Sequence, residues 1–363
     1  MNINGLTGGG RDYSVDLLKI ISMILVVILH LNLFGGLIKS ANDTGNILFN
    51  FMVNFYEEIS IIAVNVFIII SSWFLCTSQT YTLKSKRILR LLVSMFFWYL
   101  VMTGVAYLLG VRPGFKELLF SVPLIGKSYD FMAGYIILFF LSPFLNRLTS
   151  QLNQKSHKKL AIILFGVFCF FGPIIMNQYA QVNRGYSFIW FVCIYLIVSF
   201  VRNHTQWNKK TWKWYLVVFL CLTLIGTAAR SFCPDSLPLY VAQGHYNDPI
   251  IFLSALSCFL LFSSFTIKRQ GAAKVIQFFV PLSVAVFFIH ANMFIEQWFK
   301  TQEFHAYINE STVRYMICLP LLALAIYIVC TLCEFIRERF FDKTGINKLI
   351  DRLSLSIDKY LVF

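Results

Sequence analysis

Residues 11–30 read RDYSVDLLKIISMILVVILH, an apolar run long enough to cross most of a bilayer that still carries an acid, a base and a histidine. Lys19 and His30 are eleven positions apart, so on a helix they lie within about 20° of one stripe and about 16 Å apart along the axis. Asp16 precedes Lys19 by three positions and lies on the same side. Because ionised groups are costly in lipid, this stripe should face protein or water, which indicates a functional site.

Each of these residues also has a purely structural interpretation. Lys19 could extend to the cytoplasmic interface with Asp16 paired to it. His30 could make a hydrogen-bonded contact between helices. The position of His30, beyond the middle of the apolar run, favours a functional role because water is scarce at that depth.

The composition places the chain in the membrane. Its 363 residues are 58% hydrophobic and 13% charged, which is far more apolar than a soluble domain of this size. Apolar runs near 20 residues recur along the chain and predict an all-α, polytopic integral membrane protein with about ten transmembrane helices. We place these spans at roughly 14–34, 55–76, 91–110, 130–147, 160–177, 187–202, 214–230, 249–267, 276–297 and 312–336.

The distribution of charge predicts the orientation. With the N-terminus in the cytoplasm, most of the 31 Lys and Arg residues fall in cytoplasmic segments, and both termini are then cytoplasmic. The net charge of +14 is therefore a topology signal, and no nucleic-acid partner is expected. Residues 1–336 form one predicted transmembrane domain. Residues 337–363 form a cytoplasmic tail whose apolar residues recur at helical spacing, which predicts an amphipathic helix on the lipids of the inner leaflet.

Arg87 and Arg90 lie at the start of the third span, three positions apart. Guanidinium groups bind phosphate bidentately and keep their charge, so this pair is a potential phosphate site. Basic residues in a short inner loop also set orientation and contact anionic lipids. Without other information, we favour the structural interpretation of Arg87 and Arg90, in which they set orientation and contact anionic lipids.

Polar groups also occur in later spans. Glu57 and Glu58 lie at the external edge of the second span, where they could orient a sugar hydroxyl or a histidine, or lie in the headgroup layer. Asn65 could be an interhelical contact, and Trp190 could pack or form an aromatic wall for a ligand. His290 lies near the middle of the predicted ninth span. Either His30 or His290 can have a purely structural role, but we do not expect such a role for both.

Several familiar signatures are absent from the sequence. It has no phosphate-binding loop with a lysine, no HxxxxD acyltransferase motif, no HExxH motif and no GxSxG elbow. ATP is therefore not expected as the driving molecule, and no metal site is predicted. The nine cysteines lie mostly within apolar runs and do not form a disulfide framework.

Together these segments resemble membrane acyltransferase family 3, the integral-membrane O-acyltransferases of bacterial surface polysaccharides. Lys19 and His30 match its Arg/Lys-x10-His signature, and Arg87 and Arg90 match its Arg-x-x-Arg signature. The matches run in order through nearly the whole chain, although Ser72 and the stretch 198–199 replace glycines of many relatives. Further segments similar to the family are 64–67 with 71–73, 141–146 and 286–290.

The resemblance implies an acyl-CoA donor, usually acetyl-CoA, that enters from the cytoplasm as a substrate and not as a bound cofactor. It implies an acceptor hydroxyl on a polysaccharide or lipid-linked glycan at the external side of the bacterial cytoplasmic membrane. Lys19, Arg87 and Arg90 would hold the CoA phosphates, and His30 would be the general base. Possible supporting or acceptor-site residues are Asp16, Glu57, Glu58, Asn65, Trp190 and His290.

Two other functions compete with this one. A transporter or flippase of a glycan or lipid precursor could use the same buried charges without chemistry, although the sequence has no inverted repeat. A member of the other large superfamily of membrane-bound O-acyltransferases would also use a buried histidine. Dependence on CoA separates the transporter from both enzymes. The sequence does not decide the acceptor, the acyl group, or whether transfer is direct or passes through a covalent intermediate.

Overall fold

A computed structural model describes residues 11–77, 85–126, 128–172, 182–205, 209–233, 244–302, 304–308 and 311–360. The regular structure in these ranges is entirely helical. Seven helical segments among them are long and apolar enough to cross a membrane. The prediction of an all-α polytopic membrane protein is confirmed.

Six of these segments are single helices, and the seventh is built from two helices joined by a turn. The single helices are α1 (Tyr13–Phe34), α3 (Ile47–Leu75), α4 (Ser85–Leu108), α6 (Asp130–Ser150), α9 (Trp212–Phe232) and α15 (Thr312–Thr344). The composite span consists of α11 (Gln270–Phe279), a 3₁₀ turn (Val280–Leu282) and α12 (Ser283–His290). The shorter helices are α2 (Leu37–Asp43), α5 (Phe115–Ser121), α7 (Gln154–Phe165), α8 (Phe188–His204), α10 (Pro249–Ser263), α13 (Met293–Lys300), α14 (Phe304–Ile308) and α16 (Ile346–Asp358).

The predicted count of ten spans stays a prediction. Helices α8 and α10 coincide with two predicted spans but have only 17 and 15 residues. The predicted span at 160–177 corresponds to the end of α7 and a π-helical continuation, Gly166–Phe171, while residues 173–177 lie outside the described ranges. The cytoplasmic location of the two termini is likewise untested.

Helix α3 is the most buried of the long helices and forms the centre of the bundle. It packs against α1, α8, α9 and α10. Helix α1 packs against α3 on one side and against α12 and α15 on another. The stripe that carries Lys19 and His30 therefore lies inside the bundle and away from lipid, as the cost of buried charge requires.

The composite span places His290 differently from the sequence prediction. Helix α12 ends at His290 and does not continue through it, so the residue is at the end of a span and not near its middle. The chain breaks here because Asn292 caps α13, accepting hydrogen bonds from the N–H groups of Phe294 (3.0 Å) and Ile295 (3.4 Å). Pro281 lies in the 3₁₀ turn, at the start of a helical segment where its missing N–H costs little.

The C-terminal end also differs in detail from the predicted boundary at 336. Helix α15 continues to Thr344, and Gly345 (φ 80°) ends it in the left-handed conformation that glycine adopts readily. Helix α16 follows and leaves Leu349, Leu353 and Leu355 exposed. This pattern suits a helix that lies on a membrane surface.

Orientation can be tested with two matched substitutions of exposed lysines. We expect Lys116→Cys, on α5, to react with a membrane-impermeant maleimide in intact cells. We expect Lys359→Cys, just after α16, to react only after permeabilisation, because the charge bias puts the tail in the cytoplasm. The unsubstituted chain, with its nine cysteines, gives the background labelling. The reverse labelling pattern would contradict the predicted topology.

Candidate functional site

A cavity of about 500 Å³ lies at the end of the bundle where α1 begins. Lys19 of α1 and both Arg87 and Arg90 of α4 line it. Lys19 and the two arginines come from two separate helices, and the structure brings all three residues to one cavity, as a shared phosphate site requires.

Asp16 anchors Lys19 at the edge of this cavity. Its buried carboxylate accepts hydrogen bonds from Lys19 Nζ (2.9 Å) and from Arg11 Nε. The start of α1 is fixed by Asp12, whose side chain accepts from the N–H groups of Ser14 and Val15. Asp16 thus makes the structural pairing that the sequence suggested, and this pairing holds the lysine beside the cavity.

The two arginines have different surroundings. The Arg87 guanidinium lies 6.0 Å from the centre of the Tyr135 ring. Arg90 donates to Asp351 of α16 at 3.0 Å, and Lys86 donates to the same carboxylate at 2.8 Å. The hydrogen bond from Lys86 and the charge of Arg90 lower the pKa of Asp351. The C-terminal helix is therefore tied to the rim of the cavity through one of its cationic residues.

The cavity contains a second charged group that sequence reasoning missed. Arg337 of α15 is buried and donates to both oxygens of Glu334, at 2.8 and 2.6 Å. Glu334 also accepts from Trp98 Nε1 (2.6 Å) and Ser94 Oγ (3.2 Å). The three-residue spacing of Glu334 and Arg337 in an apolar helix was the available signal. Glu334 and Arg337, whose charges are paired, thus make part of the cavity lining polar.

A smaller cavity of about 50 Å³ adjoins the first one, deeper in the bundle. His30 lines it, together with Tyr186, Tyr246 and Phe287. The two cavities share five lining residues, which are Met23, Phe67, Phe131, Met132 and Val284. Apolar side chains thus lie between the basic cavity and the cavity of His30.

His290 lies beside His30 in this deeper region. The two ring centroids are 5.0 Å apart at an interplanar angle of 44°. His290 Nδ1 lies 2.5 Å from the carbonyl oxygen of Val286. Phe287 completes the surroundings, with its ring centroid 6.4 Å from each imidazole. The two histidines at membrane depth therefore form a pair within one aromatic wall.

Glu57 and Glu58 lie inside the helix bundle. Both are buried, with 8% and 2% of their surface exposed, and Glu58 accepts from Arg230 Nε of α9 at 2.7 Å. On the same helix, Asn65 accepts from Trp190 Nε1 (3.1 Å) and donates to the carbonyl oxygen of Tyr246 (2.6 Å). Asn65 and Trp190 thus act together in holding a tyrosine that lines the cavity of His30.

Two titratable residues that the sequence analysis did not single out, Glu296 and Lys300, lie on α13, the helix that follows His290. Burial raises the pKa of Glu296 on α13 to about 7, and Lys300 opposes that shift. Lys300 Nζ is 4.8 Å from the centre of the Phe34 ring, which in turn is 5.2 Å from the His30 ring. Polar groups therefore lie on both sides of His30 along the bundle. The basic cavity is toward one end, and Glu296 and Lys300 are toward the other.

Of the comparisons with known proteins, the one with family models identifies a family. Residues 12–335 match the family model described as an acyltransferase domain, that of acyltransferase family 3. No curated protein and no solved structure matches the chain. The matched region covers all seven long helical segments except the end of α15.

The buried pair of Glu58 and Arg230 gives a stability prediction. We expect Arg230→Met to destabilise the protein by about 3–5 kcal/mol, because it leaves the Glu58 carboxylate without its partner in the core. Thermal unfolding in detergent measures the loss. The double variant Glu58→Leu, Arg230→Met should recover most of it, and a single variant as stable as the wild type would contradict this role.

Proposed function

Because the chain belongs to acyltransferase family 3, we propose that it transfers an acyl group, in the simplest case acetyl, from cytoplasmic acyl-CoA to an external glycan. The acceptor would be a hydroxyl of a polysaccharide or lipid-linked glycan at the bacterial cytoplasmic membrane. The single observation that carries this proposal is the basic cavity that adjoins the cavity of His30.

The basic cavity suits the phosphates of the donor. Lys19, Arg87 and Arg90 line one space of about 500 Å³, and cations in a partly enclosed site attract phosphate strongly. Asp351 already neutralises part of the charge of Arg90, so a phosphate would compete with a carboxylate for that guanidinium. This arrangement keeps the cations hydrated or paired when no donor is present.

The distance between the two cavities suits the length of the remaining part of the donor, its pantetheine arm and thioester. Lys19 and His30 are about 16 Å apart along α1, which is comparable with an extended pantetheine arm. The residues shared by the two cavities are apolar, as the neutral arm and its thioester need. Phosphates held at Lys19 would therefore place the acyl carbon near His30.

The reaction follows from these positions. His30 takes the proton of the acceptor hydroxyl as its oxygen attacks the thioester carbonyl, forming a tetrahedral intermediate. The C–S bond then breaks, the acyl group stays on the acceptor oxygen as an ester, and the leaving thiolate takes the proton from His30. The products are the acylated glycan and free CoA thiol. General-base assistance of this kind contributes on the order of 100- to 10,000-fold.

The acceptor would approach from the opposite end of the bundle. Tyr186 and Tyr246 line the cavity of His30, with their ring centroids 5.3 Å apart. Glu296 and Lys300 lie on the far side of His30 from the basic cavity. Aromatic rings with nearby hydrogen-bonding groups suit a sugar, whose faces are apolar and whose edges carry hydroxyls.

Donor binding can be tested by removing single cations. We expect Arg87→Gln and Lys19→Gln to weaken acetyl-CoA binding by about tenfold or more, since a charge-assisted hydrogen bond is worth about 1.5–3 kcal/mol. Calorimetry on the purified protein in detergent measures the affinity. Lys348→Gln is the matched control: it removes the same charge from an exposed position on the neighbouring helix α16, but Lys348 does not line the cavity. Equal weakening in all three variants would indicate a nonspecific charge effect.

Catalysis can be separated from binding at His30. We expect His30→Ala to lower acyl transfer from labelled acetyl-CoA by at least about 100-fold, because the general base is lost, while acetyl-CoA affinity is retained. Slow thioester hydrolysis serves as the readout before the acceptor is known. His305→Gln, a histidine outside both cavities, should keep wild-type activity. A folded wild-type protein that binds no acyl-CoA would favour a transporter.

A further inference from the structure

Two ring nitrogens in the histidine pair have no hydrogen-bond partner although both are buried. They are Nδ1 of His30 and Nε2 of His290. A buried polar atom without a partner is destabilising because it has given up its hydrogen bonds to water, so two such atoms on adjacent rings call for an explanation. Their chemistry is complementary, because one can act as a donor and the other as an acceptor.

The backbone fixes the role of His290. Its Nδ1 atom lies 2.5 Å from the carbonyl oxygen of Val286. A carbonyl only accepts, so Nδ1 carries the proton and donates it. In the neutral imidazole the other nitrogen, Nε2, then has a free lone pair and can only accept. The unpartnered atom of His290 is therefore an acceptor on a ring that lies beside the His30 ring.

The position of His30 supplies the matching donor. With the ring centroids 5.0 Å apart, two ring nitrogens that point toward each other are within hydrogen-bond distance, and rings turned away from this geometry leave room for one bridging water. A proton on His30 Nδ1 would satisfy both buried atoms. The Nε2 atom of His30 would then carry the lone pair that a general base needs.

We propose that His290 is a positioning residue: it accepts a hydrogen bond from Nδ1–H of His30, directly or through one water, and so leaves Nε2 of His30 free to take the acceptor proton. This inference rests on the proposed function for its catalytic consequence. The Nδ1 proton stays on His30 throughout the reaction. The proton that moves comes from the acceptor hydroxyl to Nε2 and leaves on the CoA thiol.

Two substitutions of similar polarity separate this role from simple packing. In His290→Gln the side-chain oxygen can take the place of Nε2, whereas in His290→Asn the shorter side chain places its oxygen nearer to the position of Nδ1. We expect His290→Asn to lower kcat on the order of 10- to 100-fold, the size of effect seen when a partner that orients a functional imidazole is lost. The KM for acetyl-CoA should not change. We expect His290→Gln to keep most of the wild-type kcat.

The tautomer of His30 gives a readout that does not depend on activity. In protein labelled with ¹⁵N-histidine, the nitrogen chemical shifts distinguish Nδ1–H from Nε2–H, and His30→Gln identifies the His30 signals among the six histidines. We expect Nδ1–H in the wild type and in His290→Gln, and loss of that preference in His290→Asn.

The kinetic and tautomer measurements together distinguish a failure of the proposed histidine pairing from a failure of the proposed function. Wild-type transfer with equal kcat in both His290 variants and an unchanged His30 tautomer would overturn the pairing but leave the proposed function intact. Equal loss of kcat in both variants without a change of tautomer would also overturn it, since packing alone would then explain His290. The expected tautomers in a protein that neither binds nor hydrolyses acetyl-CoA would support the pairing and refute the proposed function.

Discussion

The cost of placing an ionised side chain in hydrocarbon, on the order of 2.5–3.5 kcal/mol even by insertion measurements, constrains every polar group in this bundle. The structure offsets that cost by pairing charged side chains with groups of opposite charge. Asp16 holds Lys19 and Arg11, Glu58 holds Arg230, and Glu334 holds Arg337. Each pair joins groups that would be expensive alone, and the pair of Glu58 and Arg230 also ties α3 to α9. Helix packing in the interior therefore depends on satisfied charge as well as on apolar contact.

Three of the buried polar atoms without a hydrogen-bond partner belong to residues at the two cavities. Arg90 keeps a buried Nε atom without a partner, and His30 and His290 each keep one ring nitrogen in that state. These residues line, or lie beside, two adjoining cavities. Other buried atoms without a partner, such as Glu57 Oε2 and Arg230 Nη2, lie away from both cavities, so only the groups at the cavities are placed to meet a ligand. Their position is consistent with the proposed acyl donor at the basic end and acceptor hydroxyl near the histidines.

Much of this arrangement could be predicted from helical periodicity and residue type. The spacing of Lys19 and His30, and that of Arg87 and Arg90, depends only on helix geometry, so their faces could be worked out before the structure was known. The meeting of Glu58 with Arg230 could not, because the two lie 172 positions apart and no local rule links them. The end of α12 at His290 was also missed. The apolar run continues past this point, and only the cap formed by Asn292 breaks it.

We propose that the acyl donor extends from a phosphate site at the cytoplasmic end of the bundle to the buried base His30. The most direct measurement is a cryo-electron microscopy map of the protein with a non-hydrolysable thioether analogue of acetyl-CoA. The account predicts density for the phosphates between Lys19, Arg87 and Arg90, with the pantetheine arm passing Met23 and the acyl group next to His30. Density for the analogue elsewhere, with both cavities empty, would contradict it.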